Sequence, residues 1–438
     1  MADHSRHPGA PPAILRMVRA ILAAALPIAL AAPGAAQSAR PTPQETNPGR
    51  PAGDDRQWFV MDDRPSLRLG DALRLDLTSK VGLTVRTSPN VDPDTELEQS
   101  RIGVDGRLFD VIGFQIEREV GDDEQPWRDV FVEFRKFRAI RARAGRFKVP
   151  FGQERLTSIS DLDFVHRSIP TEALTPGRDT GVELYGRILG RTLNYQAGVF
   201  QHDGDVSRGG TDAPAGRTVA GRVVGAPFAW ASSRALQRVE AGISMTVGDV
   251  PEGLNGLRAR TSNDYEAMAP VYVFGTRVRV GAEAAFAQGP LSIKGEFLQA
   301  RDERTRQGLG DEDLSDVVAR GWHVSATSFV VGRLKSNGTA PRTPLGGGGI
   351  GAIQVAARLE SLAFGSSTPG ADPLPTPRAP NIRPNDIHAV TLGVNWFPIR
   401  FIKLQGNIIR EHVQDPERRP DPVRPWGTTG LFRVQFAL

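Results

Sequence analysis

The chain has 438 residues, with 54 Lys and Arg against 50 Asp and Glu, a formal charge of only +4. Such a balance lacks the strongly basic face that a nucleic-acid partner requires. Cysteine is absent, which excludes disulfides, thiolate metal sites and cysteine nucleophiles.

At the N-terminus Arg16 and Arg19 precede an apolar run from Ile21 to Ala32 that is too short to span a bilayer. Small residues follow. The pattern reads as a secretory signal over residues 1–36, with cleavage after Ala36 preferred to Ala31. Residues 37–65 are rich in Pro, Gly and charge and read as a flexible lead-in, leaving 66–438 as one folded domain.

No later window holds the roughly 18 to 20 apolar residues of a transmembrane helix. What recurs is alternation at period two, the mark of strands with unlike faces. Ile353, Val355, Ala357 and Leu359, for example, alternate with Gln354, Ala356, Arg358 and Glu360. In chain order the segments are Ala72 to Arg86, Glu96 to Phe109, Val111 to Val120, Arg128 to Phe137, Arg138 to Phe147, Asp179 to Ile188, Thr192 to Gln201 and Arg217 to Phe228. They continue with Leu236 to Gly248, Thr276 to Gln288, Leu291 to Arg301, Val317 to Gly332, Ile350 to Phe364, Ile387 to Phe397, Phe401 to Glu411 and Thr428 to Leu438. That makes sixteen.

The connections alternate between tight turns, at Asp110, Gly190, Gly289 and Pro398 to Arg400, and long loops, from Val120, His202, Asp249 and His412. Short turns on one rim and long loops on the other describe an all-β transmembrane antiparallel barrel of the outer-membrane type. Phe228 to Ala235 and Arg333 to Gly349 fall on the short-turn side yet are not short, which leaves room there for an extra strand pair. A soluble β-sandwich would also alternate, but its second face would not carry Arg101, Arg107, Arg135, Arg143 and Lys403 together with Glu117, Glu133, Glu183 and Glu296. Such a face lines an aqueous lumen.

The connection from Lys148 to Arg178 is too long for a hairpin turn and is not polar enough to be disordered. It carries Phe151, Leu156, Ile159, Leu162, Phe164, Ile169 and Leu174 among charges of both signs, so a folded loop is expected.

Catalytic and metal chemistry find little support. Gly346, Gly348 and Gly351 fit a GxGxxG pattern but precede a strand rather than a helix, so the dinucleotide context fails. The seven histidines show no pair at metal-ligand spacing. Asp311, Glu312, Asp313 and Asp316 lack the glycine and ligand spacing of a dedicated Ca²⁺ site and read as a solvated loop. No Ser/His/acid set assembles. No enzyme activity, cofactor or metal is therefore expected.

The run GRFKVPFGQERLTS, then DLDFVHRSIP, then LTPGRDTGVELYGRI, with the later GWHVSATSFVVG, GAIQVAARLESL and VTLGVNWFPIRFIKLQGNI, resembles the phosphate-selective porin O and P family from about Asp71 onward. The resemblance implies a sixteen-stranded barrel, commonly a homotrimer, with its third long loop folded into the pore. The loop from Lys148 to Arg178 follows the fifth predicted strand and is the third on its rim. The function implied is a water-filled channel in the Gram-negative outer membrane for passive diffusion of small hydrophilic solutes, including anions such as phosphate. The alternative reading is a non-conducting structural or surface-binding barrel.

The expected constriction and anion-binding residues are Lys148, Arg155, Arg167 and Arg178 from the loop, opposed by Arg141, Arg143 and Arg187 on the flanking strands. Arg178 has a second possible role, a salt bridge with Asp179 at the loop base. His166 beside Arg167 could bind anions when protonated. Two departures from the family stand out: the lumen mixes both signs of charge, so only a weak anion preference is expected, and the chain ends RVQFAL. Leu438 is last and Phe436 lies two earlier, so recognition by the barrel-assembly machinery is expected to be weaker or shifted. Expected partners are outer-membrane lipid, that machinery, a second and third copy of the chain, and small anionic or polar solutes, with no nucleic acid.

Overall fold

A computed structural model of the chain describes residues 59–438 apart from 62–63, 90, 123–125, 205–215, 255–256, 258–259, 263–265, 267, 269, 336–339, 369–375, 383 and 415–424. The predicted signal over 1–36 and most of the lead-in lie outside the described residues.

Two short strands, β1 (Phe59–Met61) and β2 (Pro65–Leu69), come first. They are followed by β3 (Leu73–Ser88), β4 (Val91–Leu108), β5 (Ile112–Glu119), β6 (Trp127–Phe134), β7 (Arg141–Lys148), β8 (Arg178–Ile188), β9 (Leu193–Phe200) and β10 (Thr218–Gly225). The series ends with β11 (Val239–Leu254), β12 (Tyr272–Gln288), β13 (Leu291–Arg304), β14 (Leu314–Val331), β15 (Ala352–Ser366), β16 (Asn385–Ile399), β17 (Ile402–Val413) and β18 (Trp426–Ala437). From β3 onward each strand pairs antiparallel with the next, and β18 pairs with β3, so sixteen of the eighteen strands close into a barrel. Each overlaps one of the alternating segments of the sequence.

Closure uses one edge of β3 in two parts. Lys80 to Thr87 take β18, and Leu73 to Asp76 take β2, while between them the Leu438 N–H donates to the Ser79 carbonyl at 2.8 Å. The β1–β2 hairpin thus fills the seam below the end of β18. It lies at the end of the stretch expected to be flexible, and such short strands leave no periodic trace among Pro and Asp. The irregular connections 226–238 and 332–351 contain turns, one 3₁₀ turn at Leu236–Arg238 and isolated bridges such as Leu334 to Pro341. Among the described residues neither holds the extra strand pair for which the sequence left room.

Alternation decides which side chains meet which solvent. In β15, Gln354, Ala356, Arg358 and Glu360 are buried, whereas Val355 and Leu359 stand 40% and 51% exposed on the other face. Ile243, Leu392 and Ile408 repeat this around the ring and are still more exposed. A continuous apolar belt of this size is covered by lipid, not water. Aromatic residues mark its borders, with Phe109, Phe137, Phe228 and Trp230 toward the short turns and Trp127 and Trp426 toward the long loops. The packed apolar core lies on the opposite, inner side of the wall, where Phe151 and Leu174 of segment 149–177 meet Leu298, Ala319, Leu362 and Ile387.

Candidate pore-lining site

β7 ends at Lys148, and the Pro150-Phe151-Gly152 step that follows turns the chain, with Gly152 at φ 72°. A Cβ at Gly152 would sit 3.3 Å from a carboxylate oxygen of Glu296, so both backbone sign and space favour glycine. Two short helices follow, α1 (Gln153–Leu156) and α2 (Ile169–Leu174). Ser168 caps α2 by accepting from the Thr171 N–H, and Pro170 suits the first turn because no partner is needed for its missing N–H.

The loop cations hold these turns together. Arg155 is buried and reaches the Thr175 hydroxyl at 2.5 Å, the Thr171 carbonyl at 3.1 Å and the Glu172 carboxylate at 2.9 Å. Arg167, also buried, donates to the carbonyls of Thr157 at 3.0 Å and Glu154 at 3.3 Å and pairs with Glu172 at 3.4 Å. Burial, and then the neighbouring Arg155, draws Arg167 down to about 10, which leaves it charged at neutral pH. Lys148 donates to the Leu156 and Thr157 carbonyls at 3.0 and 2.9 Å, closing the C-terminal end of α1. Arg178 makes a bidentate pair with Asp129 of β6 at 3.2 and 2.8 Å. Asp179, expected to take that role, instead accepts from the Thr180 and His202 N–H groups.

The segment satisfies its outward backbone groups on the barrel wall, as buried N–H and C=O groups require. Glu296 of β13 accepts from the Gln153 and Glu154 N–H groups, and Glu360 of β15 accepts from Ile169 at 2.7 Å. Asn407 accepts from Val165 at 2.7 Å, while Asn395 donates to Asp163 and Gln435 to Ser160. Lys403 and Gln405 both reach the Leu162 carbonyl, and Arg358 reaches that of His166 at 3.0 Å. All these wall residues occupy positions opposite the exposed apolar ones. Gly321 of β14 makes room for the contact, since a Cβ there would lie 2.6 Å from Pro170. The segment therefore lies against the inner face of β13 to β18.

The three wall cations predicted from β7 and β8 lie elsewhere. Arg143 pairs with Glu183 at 2.9 Å and stacks over Phe147 at 4.2 Å. Arg141 and Arg187 sit toward the short-turn end of their strands, away from segment 149–177. Near them Arg107 lines a cavity of about 200 Å³ together with Arg64, Asp76, Glu133 and Arg135. Among the described residues no carboxylate lies within ion-pair distance of Arg107, Arg141 or Arg187. Arg135, by contrast, pairs with Glu133 at 3.2 Å.

One grouping has no counterpart in the sequence spacing. Glu154, Glu296 and His323 come from α1, β13 and β14, and their ligand atoms all lie within 4.8 Å of one another. Pairing register brings them together: Glu296 sits opposite His323, and His323 opposite Glu360.

A closed sixteen-stranded ring with an apolar exterior and a charged, hydrogen-bonded interior is a porin of the outer membrane. The sequence profile of the phosphate-selective porin O and P family matches residues 86–438, and the chain belongs to that family. An uncharacterised protein of Caulobacter vibrioides is 26% identical over 385 residues, covering 82% of this chain and 72% of the other. Among solved structures, in-vitro folded OmpT, an outer membrane protein of Vibrio cholerae, superposes with a TM-score of 0.56 at 11% identity, over 84% of this chain and 98% of that one. An anion-selective porin of Comamonas acidovorans gives 0.53 at 15% identity over 84% and 100%. The outer membrane channel DcaP of Acinetobacter baumannii gives 0.52 at 11% identity over 84% and 98%.

Proposed function

We propose that the chain forms a water-filled pore for passive diffusion of small hydrophilic solutes, with segment 149–177 folded into the lumen as its constriction and with a weak preference for anions. The observation that carries this reading is the row of hydrogen bonds from segment 149–177 to inward-facing side chains of β13 to β18. A segment held on one side of the lumen narrows the path and leaves the opposite wall to line it.

The anion preference is assigned to that opposite wall. Arg107, Arg141 and Arg187 form a basic arc toward the short-turn rim, and charges beside low-dielectric walls are screened less than those on an open surface. Lys148, Arg155, Arg167 and Arg178, together with Arg143, contribute positive field from behind, but their donors are already committed to carbonyls and carboxylates. Phosphate is one candidate solute through the family, and anions in general are another through the Comamonas acidovorans porin. A homotrimer is the assembly proposed, as in the trimer form of Vibrio cholerae OmpT. Export by residues 1–36 and insertion by the barrel-assembly machinery complete the route.

Single-channel conductance and zero-current potential in planar bilayers test the reading. Steady ohmic conductance with modest anion selectivity is expected. A closed barrel would support instead the structural or surface-binding role.

A further inference from the structure

Beneath α1, Glu154, Glu296 and His323 converge in a pocket closed by Ser168 and Arg358. His323 and Glu296 are 4% and 5% exposed, and the His323 Nε2 stands 3.4 Å from Glu296 Oε2 and 4.0 Å from Glu154 Oε2.

Hydrogen bonding fixes the imidazole. The Ser168 hydroxyl lies 2.7 Å from Glu154 Oε2 and 2.8 Å from Thr171 Oγ1, and its single proton goes to the carboxylate, the stronger acceptor. Its oxygen then accepts from the Thr171 N–H at 3.3 Å and, in the His323 tautomer protonated at Nδ1, from that nitrogen at 3.3 Å. With Nδ1 carrying the proton, the Nε2 lone pair of a neutral His323 faces two carboxylates. Both carboxylates are fixed in place by donors, Glu296 by the Gln153 and Glu154 N–H groups and Glu154 by the Ser168 N–H at 2.9 Å and by Arg358 at 3.4 Å.

Charge accounting points the same way. Three buried or half-buried carboxylates, Glu154, Glu296 and Glu360, meet one guanidinium, Arg358, which pairs with Glu360 at 3.1 Å. Among the described residues Glu296 has only His323 within ion-pair distance, and a buried carboxylate without a cation is costly to ionise unless a metal ion takes the place of its proton.

We propose that Glu154, Glu296 and His323 bind one divalent transition-metal ion, with Zn²⁺ the best match, and that this ion fastens segment 149–177 to β13 and β14. One imidazole nitrogen and two carboxylates suit Zn²⁺ and its first-row neighbours, whereas Ca²⁺ and Mg²⁺ take oxygen-only shells. Bonds of about 2.0 to 2.2 Å place tetrahedral ligands about 3.4 Å apart, the His323 to Glu296 spacing, whereas Glu154 stands farther out, at 4.0 Å from His323, and must move inward to complete the set. A ligating histidine commonly donates its other ring N–H to a neighbouring acceptor, the role Ser168 fills here. The proposal concerns the docked loop alone and stands whatever the pore conducts.

The test uses the full mature barrel, without a histidine tag, refolded in detergent, stripped with EDTA and dialysed against Zn²⁺. Elemental analysis should find one zinc per chain, retained against Ca²⁺ and Mg²⁺. His323→Ala and Glu296→Gln should each lose that uptake while keeping the heat-dependent gel mobility of a closed barrel. Co²⁺ substitution should give visible absorption bands that His323→Ala removes. Absence of stoichiometric zinc in the unaltered protein, or uptake unchanged in both folded variants, overturns the proposal and assigns the triad to shared protons instead.

Discussion

The inner wall of β13 to β18 and the short-turn end of β3 to β8 share one alternation of residues, yet they hold charge in opposite ways. On the first, Arg358, Glu360, Lys403 and Gln405 are all under a tenth exposed, because segment 149–177 lies on them and supplies each with a fixed partner. On the second, Arg107, Arg141 and Arg187 face the lumen with no carboxylate within ion-pair distance among the described residues. The same residue type is thus a fastener where water is excluded and a source of field where water remains. Inwardness in the sequence does not by itself mean contact with solute.

The largest expected effect comes from removing the difference altogether. Deleting Gln153 to Thr175 should raise single-channel conductance severalfold, since β7 and β8 still pair and can be joined by a short connection. Heat-dependent mobility on gels should be kept. Unchanged conductance in an assembled deletion would place the segment outside the ion path.

Next in size is Arg358→Ala, which strands Glu154 and Glu360 under the loop. Removing one partner of a buried pair costs about 3 to 5 kcal/mol, enough to undock the segment while the barrel stays closed. Limited proteolysis of the detergent-solubilised barrel should then cut within 149–177, and resistance equal to that of the unaltered protein would show that the fastening lies elsewhere.

A smaller effect separates the two kinds of cation. Replacing Arg107, Arg141 and Arg187 by Gln should move the zero-current potential toward cation preference with little change in stability. Arg155→Ala with Arg167→Ala should loosen the loop, seen as noisier currents, without an equal shift in selectivity. If that pair instead moves the potential as far as the triple variant, selectivity resides in the loop as the sequence first suggested.

The smallest effect is on pH. Burial alone would raise Glu172, but Arg155 and then Arg167 outweigh it and hold the carboxyl below its ordinary value of 4.5. A lowered folded value means that the stabilisation is complete above 4.5 and fades as the pH falls beneath it. The side chain is 48% exposed, so the change is modest. Proteolytic cutting of 149–177 should rise slightly below that pH, and a Glu172→Gln variant should not show the rise.

Strand number, the order of connections and the position of the long loop after the fifth barrel strand were legible in the sequence, because alternation at period two and a run of loop apolar residues depend on neighbours in the chain. Partner choice was not. Arg178 takes Asp129, 49 residues away, over the adjacent Asp179, since successive strand residues point to opposite faces. Arg358 and His166, 192 residues apart, meet only once the loop is docked. Glu154, Glu296 and His323 were invisible for the same reason: ligand spacing along a chain reveals sites built on one element, and this one spans three.

The seam between β18 and β3 bears on how the barrel comes into being. Arg433 and Thr84, hydrogen-bonded across it, are 349 residues apart, close to the greatest separation the folded part of the chain permits. No intermediate made from a partial chain can close, so the first strand waits for the last. Every earlier species exposes two unpaired strand edges, which are sites of misassociation. Once the seam forms, both edges vanish together, and opening the ring again means breaking a strand pair where lipid offers its N–H and C=O groups no substitute. Formation should be slow and cooperative, and loss slower still.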